Sequence, residues 1–407
     1  MTKYKFSRRS LLQGAASIAG AAAFAGPGGI IPSAFGQTAP KSAVLLVYLR
    51  GGYNALFSNA DSFAPAATFG VTGTNTRNLG AGLVVDNSSY GTMLPATALA
   101  QMASIGVNHG ISSHAPAREV QWSNGTRGYA LMLANAMGGS SAIKCALVGG
   151  SAPDIARPAE NGVSMQTITD MSSTINALGG GIADPTIPDR AKAAAALTNA
   201  RTMSAAQLTT SSDSLASVKN AYDTSIAVLQ GGTTVGFDAN AVATAYGLAP
   251  STRVVNSFTS QMMAAELMVL AGSNVICAVS NAGWDTHGDR TGTVARNLMN
   301  QTILPGLKVF TQRMMAQANL NITIAVFGDF SRSLPGSDHA RLIGTTVWGS
   351  KVKLGVSGKV GPTVGMPTAN PAGEAYSVPG FWSYLAAVSK SAANPFGVNP
   401  HAAMVLP

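Results

Sequence analysis

Short, unbroken apolar runs recur along the chain, and they predict strands that are buried on both faces. The first run covers residues 43–49 and is followed closely by a pair of glycines, and two later runs cover 274–280 and 321–327. Residues 293–318, between the second and third runs, show helical spacing with a break at Pro305. A strand, a helix and a second strand in this order form a parallel crossover unit. The hydrophobic pattern therefore predicts an α/β fold around a mostly parallel sheet.

Outside these runs the pattern is weaker and predicts mostly helices and loops. Further helices are predicted over residues 94–102, 190–203, 214–229, 257–271 and 379–388. Residues 184–250, which are rich in Ala, Ser and Thr, are predicted to form a helical insertion. Much of 54–130 is predicted to be loop, because Gly, Asn, Ser and Thr interrupt its periodic segments. From Gly344 onward the chain is rich in Gly and Pro, which predicts short extended pieces before the last helix.

The first 36 residues have the organisation of a twin-arginine signal peptide. A basic stretch without any acid contains Arg8 and Arg9, a mildly apolar segment over 11–24 follows, and small residues occupy both ends of 34–36. A membrane span needs roughly 20 strongly apolar residues, so this segment is not an anchor. A disordered basic tail would explain neither the paired arginines nor the small-residue site. We therefore predict that the twin-arginine translocase exports the folded protein to the periplasm or cell exterior, with no stable membrane anchor in the mature form.

Composition bounds what the mature chain, residues 37–407, can be. Its length suits a single α/β domain that contains the insertion. Charged residues make up only 11% of the sequence, so the surface is predicted to be largely neutral and polar. The formal charge of +9, less the four basic residues of the signal, leaves +5 for the mature chain. Because these basic residues are scattered, without a run or an aromatic-interleaved patch, nucleic acid is not expected as a partner.

The sequence contains two cysteines, Cys145 and Cys277. Each lies in an apolar run that is typical of a buried strand. In such a strand a free cysteine behaves as a small hydrophobic residue, whereas an oxidising compartment would permit one disulfide. The sequence leaves open whether the two cysteines are free thiols or form a disulfide.

Two of the loops that follow predicted strands carry an Asp/His pair. Asp285 and His287 follow the second apolar run, and Asp338 and His339 follow the third. Ligand sites in open α/β sheets lie beyond the carboxyl ends of the strands, so we expect the two pairs to meet in one crevice. Imidazole and carboxylate groups together are typical ligands of zinc or manganese. The alternative is that each Asp caps a turn and each His makes a local hydrogen bond.

Several short motifs, taken in their order along the chain, resemble those of a known family. The motifs are Leu49-Arg-Gly-Gly-Tyr-Asn54, Ser113-His114, Gly283-Trp-Asp-Thr-His287, Asp329-Phe-Ser-Arg332 and Asp338-His339. Over nearly the whole mature chain they resemble an exported bacterial family called domain of unknown function 1501, within the alkaline phosphatase and sulfatase superfamily. The resemblance implies an alkaline-phosphatase-like fold, which is a three-layer α/β/α sandwich with metals at the strand ends.

The resemblance also implies roles for individual residues. The implied metal ligands are Asn54, Asp285, His287, Asp338 and His339, with His401 as a candidate final ligand. Ser113 is the implied nucleophile with His114 beside it, although a serine in a polar loop is often only a loop residue. Arg332 would hold an anionic ester through its planar guanidinium, and a structural salt bridge, for example with Asp329, is its alternative role. Zinc or manganese is the expected metal, with calcium or magnesium as alternatives.

One departure from the family pattern leaves two functions open. The first ligand position is Asn54 where the family pattern has Asp, and an amide offers a cation only a carbonyl oxygen. The intact Asp/His pairs favour an exported metal-dependent hydrolase that acts on a small anionic ester of phosphate or sulfate. The amide at Asn54 favours instead a non-catalytic binding or envelope-assembly protein that retains the hydrolase fold.

Overall fold

A computed structural model describes most of the chain. The described residues are 42–53, 55–64, 68–139, 141, 143–150, 159–172, 174–175, 190–204, 238–333, 338–360 and 376–407. The signal peptide predicted over residues 1–36, the helix predicted over 214–229 and Asn54 lie outside these ranges.

Eight strands form a central sheet that is parallel except for one strand. The strands of the described chain are β1 (Ser42–Leu49), β2 (Thr76–Gly80), β3 (Leu83–Asp86), β4 (Met102–Asn108), β5 (Cys145–Val148), β6 (Met165–Ile168), β7 (Val275–Ser280), β8 (Asn321–Gly328), β9 (Arg332–Ser333), β10 (Asp338–His339), β11 (Leu342–Gly349) and β12 (Gly355–Ser357). The order across the sheet is β12-β4-β11-β8-β1-β7-β5-β6, and β11 runs antiparallel to both of its neighbours. The pairs β2–β3 and β9–β10 lie outside it.

Helices cover the sheet. Those in the described residues are α1 (Ala96–Ala100), α2 (His114–Trp122), α3 (Tyr129–Met137), α4 (Arg190–Ser204), α5 (Ala239–Ala245), α6 (Phe258–Leu270), α7 (Thr293–Leu298), α8 (Leu304–Met315) and α9 (Val378–Val388). α3 and α6 both pack against β5 and β7, α8 packs against α6 and β8, and α9 packs against α3 and β4. In β1 every side chain from Ala43 to Leu49 is buried, so both faces of the sheet centre are covered. In the described part of the chain no helix is long and apolar enough to cross a membrane.

The helix between β7 and β8 changes its pitch where a break was predicted. α7 passes into a π-helical turn over Met299–Ile303, and α8 begins at Leu304. Pro305 has no backbone N–H and its ring crowds the preceding turn, so a regular α-helix does not continue through it. The wider turn accommodates the proline without ending the helix.

The strongly apolar runs form the predicted strands, and the predicted α/β class with a mostly parallel sheet is confirmed. The helices predicted over 190–203, 257–271 and 379–388 are present as α4, α6 and α9. Two expectations were wrong. β4 belongs to the central sheet, although its residues were predicted as loop and helix end, and β11 is a continuous strand of eight residues where only short β-prone pieces were predicted. The two strands that precede the Asp/His loops, which the strand–helix–strand order leads one to expect side by side, are β7 and β8, and β1 lies between them and pairs in parallel with both.

The two cysteines lie on neighbouring strands of the sheet, Cys145 in β5 and Cys277 in β7. Both are buried and both are free thiols, so the structure contains no bond between them. The adjacent Cys145 thiol and the burial together raise the pKa of the Cys277 thiol. The Cys277 thiol therefore stays protonated, and both buried cysteines act as small core side chains.

Candidate metal centre

The carboxyl ends of three parallel strands lie side by side at one edge of the sheet. Leu49, the last residue of β1, pairs with Ser280 at the end of β7 and with Gly328 at the end of β8. Backbone hydrogen bonds from Arg50 N to Ser280 O (3.0 Å) and from Tyr53 N to Phe330 O (2.9 Å) join the segments that follow. The loops after all three strands therefore start from the same place.

Three imidazole rings and one carboxylate at this edge form a group that could hold a metal ion. The four residues are His114, Asp285, His287 and His339, and their ligand atoms all lie within 4.8 Å of one another. The Nε2 atoms of His287 and His339 are 2.8 Å apart, and Asp285 Oδ1 lies 3.2 Å and 3.8 Å from them, respectively. His114 Nε2 lies 3.4 Å from Asp285 Oδ2. Two nitrogens bound to one tetrahedral zinc ion would be about 3.3 Å apart, so the group has the dimensions of a metal centre.

The hydrogen bonds on the far sides of two rings determine which nitrogen faces the centre. His339 Nδ1 lies 2.8 Å from the carbonyl oxygen of Ser112, which only accepts, so the ring donates from Nδ1 and Nε2 carries a lone pair. His114 Nδ1 lies 2.6 Å from the carboxylate of Asp329, and its buried Nε2 has no hydrogen-bond partner. Two lone pairs and the Asp285 carboxylate are thus directed at one point, which is the arrangement that a cation completes.

Arg332 holds the carboxylate of Asp285 in place through a hydrogen bond. Its side chain is 1% exposed, and Nη2 donates to Asp285 Oδ1 at 2.7 Å, to the Trp284 carbonyl at 3.2 Å and to the Gly51 carbonyl. Burial opposes the charged form of Asp285, but the guanidinium and the nearby imidazoles outweigh it and lower the pKa of this carboxyl. Arg332 was predicted to hold an ester, and its burial against Asp285 suits a residue that orients a ligand instead.

Asp329 is a fully buried carboxylate directly behind His114. Its Oδ2 accepts from His114 Nδ1 at 2.6 Å and from Arg118 Nη1 at 3.1 Å, and its Oδ1 accepts from the Tyr48 hydroxyl. Burial and the negative charge of Asp329 raise the pKa of Tyr48, so the phenol stays protonated and donates. One carboxylate therefore binds three donors from β1 and α2.

Asp338 lies beside His287 and not among the four grouped residues. Its Oδ1 is 3.6 Å from His287 Nδ1 and accepts a hydrogen bond from the backbone N of His339 at 2.8 Å. The predicted meeting of the two Asp/His loops is present in the structure. Within it, Asp338 stands on the far side of the His287 ring, which suits a partner of that ring better than a direct ligand.

His401, predicted as the final ligand, lies elsewhere. Its Nδ1 is hydrogen bonded to Ser357 Oγ at 2.9 Å, and its ring packs edge-on against Tyr376 and Tyr384. The side chain is fully buried, and this burial lowers the pKa of His401 to about 4. His401 therefore takes part in packing the C-terminal segment as a neutral ring.

Ser113, predicted as the nucleophile, is exposed and directly precedes His114. It is the N-cap residue of α2, and its hydroxyl makes no capping hydrogen bond. The hydroxyl therefore does not cap the helix, and its catalytic role stays a prediction. Asn54 lies outside the described residues, so its predicted role also stays a prediction.

Two glycines after β1 allow the loops to approach closely. A Cβ on Gly51, where φ is +120°, would lie 2.5 Å from the backbone N of Asp285. A Cβ on Gly52, where φ is +141°, would lie 2.9 Å from Arg332 Nε. Only glycine combines such angles with such contacts, so the glycine pair is needed for the geometry of the centre.

The centre opens into a cleft of about 550 Å³. The cleft is lined by Arg50, Gly51, His114, Arg118, Asn281, Gly283 and Asp285. Sequence reasoning missed Arg50, Arg118 and Asn281, although a signal was present for each. Arg50 and Asn281 directly follow β1 and β7, and Arg118 lies one helical turn after His114. Both arginines lie on the same cleft as the grouped residues.

The fold and the site together define the class of this protein: an α/β protein with a mostly parallel sheet and a His/Asp group at the strand ends that could hold a metal ion. The chain belongs to the family described as protein of unknown function (DUF1501), which matches residues 162–373, a little over half of its length. The match includes Asp285, His287 and His339, whereas His114 precedes it. No curated protein and no solved structure matches the chain.

Proposed function

We propose that this protein is an exported, metal-dependent hydrolase of small phosphate or sulfate esters. One observation carries the proposal: the lone pairs of His114 and His339 and the carboxylate of Asp285 converge on one point. Without a cation, the His114 lone pair has no hydrogen-bond partner and faces the Asp285 carboxylate oxygen 3.4 Å away, which is unfavourable. With a cation, each of them has a partner.

The donor set supports zinc or manganese. Three imidazole nitrogens, which are borderline donors, together with one carboxylate oxygen suit these ions better than calcium or magnesium, whose ligands are mainly oxygens. Asp285 and His287 are each 48% exposed, so the group is open to solvent on the side of these two residues, and Asp285 also lines the cleft. When bound, the metal would polarise an ester and lower the pKa of an attacking hydroxyl.

The cleft supports an anionic substrate. Arg50 and Arg118 both line it, with Arg118 in an ion pair with Asp329, and the one carboxylate among the lining residues, Asp285, is held by Arg332. Guanidinium groups bind the oxygens of phosphate and sulfate through paired hydrogen bonds. Ser113, exposed at the start of α2 beside His114, is the candidate nucleophile for such an ester.

The proposal is tested on protein purified from its native compartment. We expect about one zinc or manganese ion per chain by elemental analysis, and metal-dependent turnover of aryl phosphate or aryl sulfate esters. Asp285→Asn should lower metal content and turnover together, because it removes the anionic ligand. Glu160→Gln, which alters a carboxylate paired with Arg127, is the matched control and should change neither. Absence of a bound metal in the wild-type protein would contradict the proposal.

A non-catalytic binding protein is the second candidate, and the amide at Asn54 is the observation that favours it. In that case the protein would contain the metal and bind inorganic phosphate or sulfate, but no ester would be hydrolysed at any metal loading. The same purified protein decides between the two functions, since metal content and turnover are measured separately.

A further inference from the structure

The helix α2 presents one polar face to the end of β8. His114, Arg118 and Gln121 are spaced at i, i+4 and i+7, so they lie on one side of the helix. His114 and Arg118 both bond to Asp329 Oδ2, and Gln121 Nε2 donates to the carbonyls of Gly328 and Asp329 at 2.6 Å and 2.5 Å. The helix is therefore attached to the first residue after β8 by three side chains.

Two of these side chains face the two ligands of the proposed function. His114 directs Nε2 toward the metal group, and Arg118 lines the cleft beside it. Both depend on the same oxygen of Asp329, which is 0% exposed. Tyr48 occupies the other oxygen, so the carboxylate cannot turn without losing a donor.

We propose that Asp329 is a positioning residue that presents His114 to the cation and Arg118 to the anionic ligand through a single oxygen. This inference rests on the proposed function and adds a residue outside the metal group to it. A carboxylate oxygen has room for two donors, and its charge holds the His114 proton on Nδ1. The tautomer of His114 and the direction of Arg118 are thus fixed together.

An amide cannot replace this carboxylate. Asp329 receives three donors on two oxygens, whereas Asn has one oxygen and an N–H2 group that would face one of the donors. Asp329→Asn should therefore lower metal affinity 10- to 100-fold, which is the usual effect of losing the outer partner of a metal-binding histidine. It should also weaken the binding of inorganic phosphate to the zinc-loaded protein.

A double-mutant cycle distinguishes positioning from general damage. Cobalt(II) titration followed by visible absorption gives metal affinity and ligand geometry for the wild type, Asp329→Asn, His114→Ala and the double variant. We expect Asp329→Asn to change the cobalt spectrum and to have little further effect on affinity once His114 is removed. An equal loss of affinity in the presence and absence of His114 would overturn the proposal.

The chain offers a matched control in the buried carboxylate Glu266. It is 0% exposed and accepts from Tyr246 and Arg313, so it shares the tyrosine and arginine donors of Asp329 and lacks the histidine. Glu266→Gln should destabilise the fold and leave the metal affinity of the folded protein unchanged. An equal drop in metal affinity for Glu266→Gln would show that any buried carboxylate matters, and would overturn the proposal.

Two further measurements keep the outcomes separate. If Asp329→Asn fails to fold, Tyr48→Phe removes only the donor on Oδ1, and it should lower metal affinity a few-fold with His114 present and not with His114→Ala. For the anion, phosphate titration of Arg118→Met and Asp329→Asn, alone and combined, should give non-additive losses. A wild-type protein that binds no metal refutes the proposed function, whereas unchanged affinities in Asp329→Asn and Tyr48→Phe, together with a loss of affinity in His114→Ala, refute only the role of Asp329.

Discussion

Gly51→Ala tests whether the candidate metal centre depends on the close approach of the loops that follow β1 and β7. The added Cβ would lie 2.5 Å from Asp285 N, whereas ordinary contact begins at 3.4 Å, so one segment must move by about 0.9 Å. Asp285 carries the carboxylate of the centre, and its displacement should weaken metal binding as well as the fold.

The expected magnitude has two parts. A positive φ costs a residue with a Cβ about 1–2 kcal/mol, and forcing extra atoms into a packed site costs about 1–3 kcal/mol more. Gly51→Ala should therefore lower the free energy of unfolding by about 2–5 kcal/mol. Gly82, in the turn between β2 and β3, has a φ of +78° and nothing within 4 Å of its would-be Cβ. Gly82→Ala should carry the backbone cost alone, about 1–2 kcal/mol.

Urea unfolding and zinc titration of both variants provide the assay. We expect a larger loss of stability for Gly51→Ala than for Gly82→Ala, and a loss of zinc affinity for Gly51→Ala alone. Equal losses of stability, with zinc affinity unchanged in both, would refute the argument that steric contact between Gly51 and Asp285 sets the geometry of the site.

Three other predictions address export, the metal group and pH. Replacing Arg8 and Arg9 together by Lys should abolish export, because Lys offers a point charge in place of a guanidinium; normal processed protein in the periplasm would contradict this. Asn54→Asp should raise zinc or manganese affinity by adding a carboxylate, and identical titration curves for the apo forms would count against its placement in the site. The folded-state pKa of His401, about 4, lies below its ordinary value of 6.5, so its contribution to stability is full above pH 6.5 and is lost as the pH falls toward 4. His401→Gln should flatten this part of the stability profile by about 3 kcal/mol in urea unfolding, and an unchanged slope would show that another group is responsible.

The hydrophobic pattern of the sequence predicted the strands β1, β7 and β8 better than the strand β11. β1, β7 and β8 are continuous apolar runs, because they are buried on both faces. β11 is equally buried but contains Thr345 and Thr346, whose hydroxyls bond to Ile105 O and to Tyr53. Polar side chains that find partners inside a core interrupt the apolar pattern without interrupting the strand. A strand of this kind is therefore hard to predict from hydrophobicity alone.

The sequence likewise predicted some residues of the candidate metal centre and missed the roles of others. His287 and His339 follow strands, and the rule that ligands bind beyond strand ends was enough to bring them together. His114 was predicted only as the neighbour of a nucleophile, because its place in the metal group depends on how α2 packs against Asp329. Arg332 was predicted as a substrate contact, because its burial results from tertiary contacts with the backbone of Gly51 and Trp284. Tertiary contacts, which the local sequence does not encode, decide both roles.

The position of β1 in the middle of the sheet has a consequence for when the protein can acquire a metal. Val44 pairs with Val275 and Ser42 with Asn321, partners that lie 231 and 279 positions later in the chain. At roughly 5–20 residues per second of synthesis, β1 waits on the order of ten seconds or more for its neighbours, and His339 emerges later still. Pairing between strands that lie so far apart in the sequence also slows folding itself. If export follows the twin-arginine route, which carries folded proteins, the group is complete before translocation, and the cytoplasmic metal pool rather than the periplasmic one would determine which ion the protein carries outward.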